Sequence, residues 1–256
     1  MLWSCHTDTV HTQGGKQALV LTNGVVTTQD PNSNCLGADD TAGLWLMREM
    51  ILAQRPGLYV FHRAEEIGGW GSEYIATSTP ELLSGIDYAV AFDRRGTREI
   101  ITHQAGGRCC SDAFATSLAD ALGMGHLGSP NGTFTDTANY TDLIGECTNV
   151  SVGYQNEHTK LESLDLDYLA KLRAALLMVD VGAFVKERNP GDIDPDERDW
   201  LMWLDDDQEP RGRSTHSMAS LLRDHPNEVA DWLEEYGLTA EEVSEAIYMR
   251  GGVIRR

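Results

Sequence analysis

Met1-Leu2-Trp3-Ser4-Cys5-His6-Thr7-Asp8 opens the chain as a short apolar run that turns polar at a histidine. Read as a strand, it delivers His6 and Asp8 to its C-terminal end. The pattern returns twice. Leu58-Tyr59-Val60-Phe61 is an apolar run with Glu65-Glu66 just beyond it, and Tyr88-Ala89-Val90-Ala91-Phe92 ends at Asp93. Runs this short, apolar throughout and without polar alternation, are what strands covered on both faces look like.

Helical signals separate the runs. Asp40-Thr41 can cap a helix carrying Leu44, Trp45, Met47, Met50, Ile51 and Leu52, stopped by Pro56-Gly57. Gly68-Gly69 and Gly71-Ser72 form a glycine-rich turn into a helix over 72–78, and a further helix is predicted over 111–122. Thr22-Asn23-Gly24, between Ala18-Leu19-Val20-Leu21 and Val25-Val26-Thr27-Thr28, signals a hairpin. A strand over 149–154 precedes His158, and a long amphipathic helix is predicted over 164–181. Strands alternating with helices define an α/β fold, in which sites form in the crevice beyond the carboxyl ends of the strands.

After Lys186 the character changes. Asn189-Pro190-Gly191-Asp192-Ile193-Asp194-Pro195-Asp196 reads as a linker, and the stretch over 217–249 reads as two or three short helices. The expected organisation is a main α/β domain over 1–188 and an acidic, mainly helical extension over 189–256. The 256 residues carry a formal net charge of −20. That charge argues against nucleic-acid phosphate or an anionic membrane as partner. Cys5, Cys35, Cys109, Cys110 and Cys147 are odd in number and form no CxxC pair. They suggest free thiols in a reducing compartment rather than a disulfide framework. No apolar run is long enough to span a membrane, and Met1-Leu2-Trp3-Ser4 leads into His6 without the regions of a signal peptide. The expectation is a soluble cytoplasmic protein.

The polar residues at the strand ends share a chemistry. His6, Asp39, Glu65, Glu66, Asp93 and His158 are imidazoles and carboxylates, the donors that two divalent cations in one site require. Each has a bland reading alone: Asp39-Asp40 as a helix cap, Glu65-Glu66 as a solvated turn, His6 as a structural histidine. Their order along the chain makes the joint reading stronger.

The sequence resembles the co-catalytic zinc exopeptidases: the bacterial zinc aminopeptidases, tripeptidase T, the glutamate carboxypeptidases and related deacylases. The resemblance rests on Ser4–Val10, Gly37-Ala38-Asp39-Asp40-Thr41-Ala42-Gly43, Ala64-Glu65-Glu66-Ile67-Gly68, Phe92-Asp93-Arg94-Arg95-Gly96 and Gly153-Tyr154…His158-Thr159…Glu162. It implies a three-layer sandwich around a mixed, mostly parallel sheet. It also implies two zinc ions, with cobalt or manganese as substitutes. His6 and Asp93 would complete one metal's shell and Glu66 and His158 the other's, with Asp39 bridging both. Asp39 is preferred to Asp40 because the family's bridging aspartate lies four residues before the helix glycine, here Gly43. Glu65 would be the general base, and Asp8 would hold the His6 ring through its other nitrogen. Tyr154 and Asp112 are implied only as neighbours of the substrate.

Two departures bear on function. The interval from Asp93 to His158 leaves no room for the lid domain of the carboxypeptidase and deacylase branch, which favours the compact aminopeptidases. Family members usually carry a helix and strand before the first metal-ligand strand, and the expectation is that these elements are either missing or replaced. Trp200, Met202, Trp203, Leu221, Leu222, Val229, Trp232 and Leu233 of the extension, or self-association into a homo-oligomer, would cover the exposed surface. The expected substrate is a short peptide. An N-acyl amide hydrolase acting on an N-acyl amino acid, a glutaminyl cyclase-like enzyme, and a non-catalytic binding protein on the same fold are the alternatives.

Overall fold

The computed structural model describes residues 1–30 and 32–192. The expected extension beyond residue 192 and its apolar residues lie outside the described residues.

Twelve strands and four α-helices are described: β1 (Leu2–His6), β2 (Leu19–Thr22), β3 (Val25–Thr28), α1 (Ala38–Leu52), β4 (Leu58–His62), α2 (Trp70–Ser78), β5 (Tyr88–Arg94), β6 (Glu99–Ile101), β7 (His103–Gln104), β8 (Gly107–Arg108), α3 (Asp112–Leu122), β9 (Leu127–Ser129), β10 (Glu146–Ser151), β11 (Tyr154–Gln155), β12 (Ser163–Asp165) and α4 (Leu166–Leu176). The central sheet runs β4-β1-β5-β10-β6-β9. β4, β1, β5 and β10 are parallel, β6 is antiparallel to β10, and β9 is parallel to β6. A second, antiparallel sheet, β11-β12-β3-β2, lies beside it.

Alternation along the central strands builds two cores. Trp3 and Cys5 of β1, Val90 and Phe92 of β5 and Val150 of β10 face α1, α3 and α4. Leu2, Ala89 and Cys147 point the other way, toward Tyr140, Leu83 and the α2 residues Ile75 and Ala76. Layers on both faces explain why these strands read as unbroken apolar runs. The arrangement is the expected three-layer sandwich on a mixed, mostly parallel sheet. The five cysteines are buried and unpaired. At one edge of the sheet, β4 leaves Leu58 and Phe61 exposed. No helix among the described residues is long and apolar enough to cross a membrane.

Packing fixes where the strand ends point. Trp3 stacks on Phe92 with ring centroids 5.7 Å apart. Its indole Nε1 donates to Pro56 O at 3.3 Å. The register pairs Leu2 with Ala89 and Ser4 with Ala91, which brings His6 and Asp93 to the same level at the carboxyl end of the sheet. Gly43 lets α1 lie against that end, because a Cβ there would collide with Phe92 O and the Asp40 carboxylate.

Two elements differ from their sequence reading. The strand expected over 149–154 is two strands in two sheets, broken at Gly153, whose φ is +104°. A Cβ at Gly153 would also stand 2.8 Å from the Tyr168 ring. The helix expected over 164–181 is shorter at both ends. Ser163–Asp165 pairs with β3, and Asp165 caps α4 by accepting from Tyr168 N at 2.9 Å. Beyond Leu177, Asp180 caps a separate 3₁₀ turn by accepting from Gly182 N at 2.9 Å.

Candidate metal centre

At the carboxyl end of the sheet, residues from five separate segments converge. β1 ends at His6 and β5 carries Asp93. Glu65 and Glu66 sit in the turn between β4 and α2, Asp39 in the first turn of α1, and His158 in the loop between β11 and β12. His6 Nε2 lies 2.9 Å from Asp39 Oδ1 and 3.5 Å from Asp93 Oδ1. His158 Nε2 lies 3.1 Å from Asp39 Oδ2 and 3.0 Å from Glu66 Oε2. The result is two ligand groups, His6-Asp39-Asp93 and Asp39-Glu66-His158, sharing Asp39 with one carboxylate oxygen turned to each. Within each group the donor atoms lie within 4.8 Å of one another.

The groups fit cations on three counts. The ring of His6 points Nδ1 at the Asp8 main-chain carbonyl, 3.0 Å away. A carbonyl only accepts, so Nδ1 carries a proton, and the neutral ring turns the Nε2 lone pair toward two carboxylates. That is repulsive unless a second proton or a cation intervenes, and the carboxylates accordingly hold the His6 imidazole protonated far above its usual range despite burial. Glu66 Oε1 is buried without a hydrogen-bond partner among the described residues. Lastly, the carboxylates are crowded beyond what two imidazoles neutralise. Burial, then Asp93, pushes Glu65 up to about 9. Burial, then Asp39, pushes Glu66 up to about 7, and burial raises Asp93 as well. Burial works against Asp39 too, but hydrogen bonds from His158 and His6 outweigh it and hold its carboxyl below the usual range. The hydrogen bond to Asp39 also lifts His158 to about 9. Paired cations would relieve the same charge without protons.

Asp39 and Asp93 are gripped from behind. Glu162, fully buried, accepts from Asp39 N at 3.1 Å through Oε1, and from Leu36 N at 2.7 Å and Gly37 N at 2.9 Å through Oε2. Asp93 is held at its backbone by Asn149, which accepts from Asp93 N and donates to Asp93 O, both at 2.8 Å. Thr135 Oγ1 donates to Asp93 Oδ2 at 2.6 Å. Asp40 turns away from the ligand groups: its carboxylate accepts from His6 N at 3.2 Å and Gly43 N at 2.9 Å, and its peptide bond to Asp39 is cis.

The remaining residues singled out from the sequence fall as follows. Glu65 lines the cleft beside both ligand groups and belongs to neither. The Asp8 carboxylate stands 3.7 Å from His6 Nδ1, and its oxygens accept instead from Glu65 N and Glu66 N, each at 3.3 Å. Asp8 therefore orients the ring through its backbone and the Glu65-Glu66 turn through its side chain. Tyr154 lines the cleft, and its hydroxyl donates to Asp93 O at 3.0 Å and Asp93 Oδ1 at 3.1 Å. Asp112 stands apart, its side chain 81% exposed at the start of α3 and paired with Arg108 at 3.1 Å. Asp112 is not among the residues lining the cleft.

No protein-family model matches the chain, and the comparison with curated proteins finds no match. Among solved structures, the chain is similar to aminopeptidase PepT from Bacillus cereus ATCC 10987, with 15% sequence identity and a TM-score of 0.56 over 69% of this chain and 79% of that one. It is similar also to a tripeptidase from Staphylococcus aureus subsp. aureus Mu50, with 15% identity and a TM-score of 0.56 over 71% of this chain and 80% of that one. At this identity the likeness is one of fold.

Proposed function

We propose that this protein is a metal-dependent hydrolase of amide bonds, an aminopeptidase of the co-catalytic zinc type acting on short peptides. The observation that carries the reading is Asp39, a single carboxylate with one oxygen toward His6 and the other toward His158. His6, Asp39 and Asp93 would hold one cation, and Asp39, Glu66 and His158 the other. Two zinc ions so held, or cobalt or manganese in their place, would polarise the scissile carbonyl and lower the pKa of water.

The chain's own residues supply the rest. Glu65 is a carboxylate on the cleft wall that belongs to neither ligand group and is adjacent in sequence to the ligand Glu66. As general base it takes a proton from the attacking water, holds it, and delivers it to the leaving amine nitrogen. Asp8 fixes the direction of Glu65 by accepting its main-chain N–H. Tyr154 and Thr135 hold Asp93 from two sides, so that its carboxylate keeps facing His6. A base that were itself a ligand would lose its lone pair to the cation, which is why two adjacent glutamates are needed.

The test is elemental analysis of the purified protein beside Glu65→Gln, both assayed on aminoacyl amides. About two cations per chain in both proteins, with hydrolysis reduced roughly 10²–10⁴-fold in the variant, is the expected result. No bound metal, and no activity after zinc or cobalt is restored, would instead indicate a binding protein on this fold.

A further inference from the structure

The cleft that the two ligand groups open into is small. Its volume is about 110 Å³, and Asp39, Glu66, Asp93 and His158 are themselves part of its wall. A cavity of about 150 Å³ is what a single benzene ring occupies. The cations and the scissile amide would take their share of the space first.

One side of the cleft is the segment over 132–134, and it is drawn inward by contacts at four successive residues. A Cβ on Gly132 would collide with His103 O and Ile101 Cγ2, so the backbone there lies directly on β6 and β7. Thr133 O accepts from Ala105 N at 2.6 Å. The Phe134 ring lies so close to the turn before α2 that a Cβ on Gly69 would stand 2.5 Å from its Cζ. Thr135 is bound to Asp93. A wall held at four successive residues does not yield cheaply to a larger group. Nor does the cleft offer apolar surface in return. Besides Tyr154, whose hydroxyl is bound to Asp93, its large apolar residues are Ile101 and Phe134, and Ile101 is 1% exposed. Most of its other side chains are carboxylates, guanidiniums and amides, which an apolar group would desolvate without replacing their hydrogen bonds.

We propose that the cleft selects peptides whose first residue has a small side chain, as in glycine, alanine or serine, and that Phe134 sets the limit. The proposal rests on the aminopeptidase reading and adds to it the class of peptide accepted. An exopeptidase seats the first residue inside the cleft and the rest of the peptide toward solvent, so the limit falls on the first side chain.

The experiment uses the full chain loaded with zinc and p-nitroanilides that lengthen by one methylene at a time: those of L-alanine, L-2-aminobutyrate, L-norvaline and L-norleucine. kcat/KM is expected to fall along the series, roughly 10- to 200-fold from first to last. An apolar pocket would do the reverse, gaining roughly fourfold with each methylene. A flat or rising profile therefore overturns the proposal. Phe134→Ala should raise the norleucine probe relative to the alanine probe and so flatten the profile. An unchanged profile in that variant overturns Phe134 as the limit. Calorimetric titration with L-alaninamide and L-norleucinamide, in a Glu65→Gln background, reads binding without turnover, and alaninamide should bind the more tightly. Should no metal restore turnover of any probe, the hydrolase reading fails by itself. The titration still decides the size limit: norleucinamide bound as tightly as alaninamide, or neither bound, overturns it.

Discussion

On one side of Asp39 stand His6 and Asp93, delivered by neighbouring strands at the centre of the sheet, with side chains 1% and 7% exposed. On the other stand Glu66 and His158, delivered by loops, with the imidazole 48% exposed. The first side inherits its geometry from the core: Trp3 on Phe92 fixes β1 against β5, and the register does the rest. The second side depends on local props. The Asp8 carboxylate holds the Glu66 amide, and His158 itself sits at a φ of +64° in a short loop. On the proposed reading the sheet side would hold its cation the more tightly, and the loop side, whose imidazole is half exposed although Glu66 is only 7% exposed, would exchange one the more readily.

The largest effect falls on what the two sides share. Asp39→Ala is expected to empty both, taking cation content below one per chain by elemental analysis. Hydrolysis should fall by more than the roughly 10²–10⁴-fold that a lone acid–base residue contributes. Retention of two cations would break the comparison at its centre. Next come the two histidines. His158→Ala should keep one cation, while His6→Ala should lose both, because the sheet side anchors the pair. Zinc titration of the metal-free variants reads this directly, and equal losses would show that the two sides are equivalent. Smaller again is Glu162→Gln, which weakens the grip on the Leu36, Gly37 and Asp39 amides. A roughly 10- to 100-fold loss of zinc affinity is expected, as for other residues that orient a ligand from behind.

The smallest effect concerns the protein without metal. Glu65 and His158 keep their protons up to about 9, and burial pushes Glu66 up to about 7, as it does Asp136, whose carboxylate lies 3.3 Å from the buried His62 Nδ1. All four lie above their ordinary values, so the folded state binds more protons than the unfolded state. The resulting stability is present at low pH and is lost as these groups deprotonate. The Tm of metal-free protein should therefore fall as pH rises from about 6.5 to about 9. Added zinc should flatten or reverse that trend. A Tm that rises over this window without metal would show that the carboxylates are not crowded as described.

Much of this frame is legible in the sequence because burial on both faces makes a strand apolar throughout, so His6 and Asp93 mark their own strand ends. The Asn23-Gly24 hairpin and the helix over 111–122, where Ser111 accepts from Phe114 N at 3.0 Å, are readable for the same local reasons. What could not be read is what depends on distant chain. Nothing local in Glu162 says that its carboxylate takes three amides more than a hundred residues away, although its place in a recognisable segment was a hint. Thr135 and Asn149 look like ordinary loop and strand residues until the fold closes them on Asp93. Asp8 was visible as a neighbour of His6, but its side chain serves the Glu65-Glu66 turn, which only the pairing of β1 with β4 brings close. Asp112 has the appearance of a site residue and the surroundings of a solvated first-turn acid.

The most direct test is anomalous diffraction at the zinc edge from crystals of the full chain grown with zinc. Two peaks are expected, one between His6, Asp39 and Asp93 and one between Asp39, Glu66 and His158, with the outer peak weakening first when the crystals are soaked in a mild chelator. A single peak, or zinc bound away from Asp39, would contradict the shared-carboxylate site on which the functional reading stands.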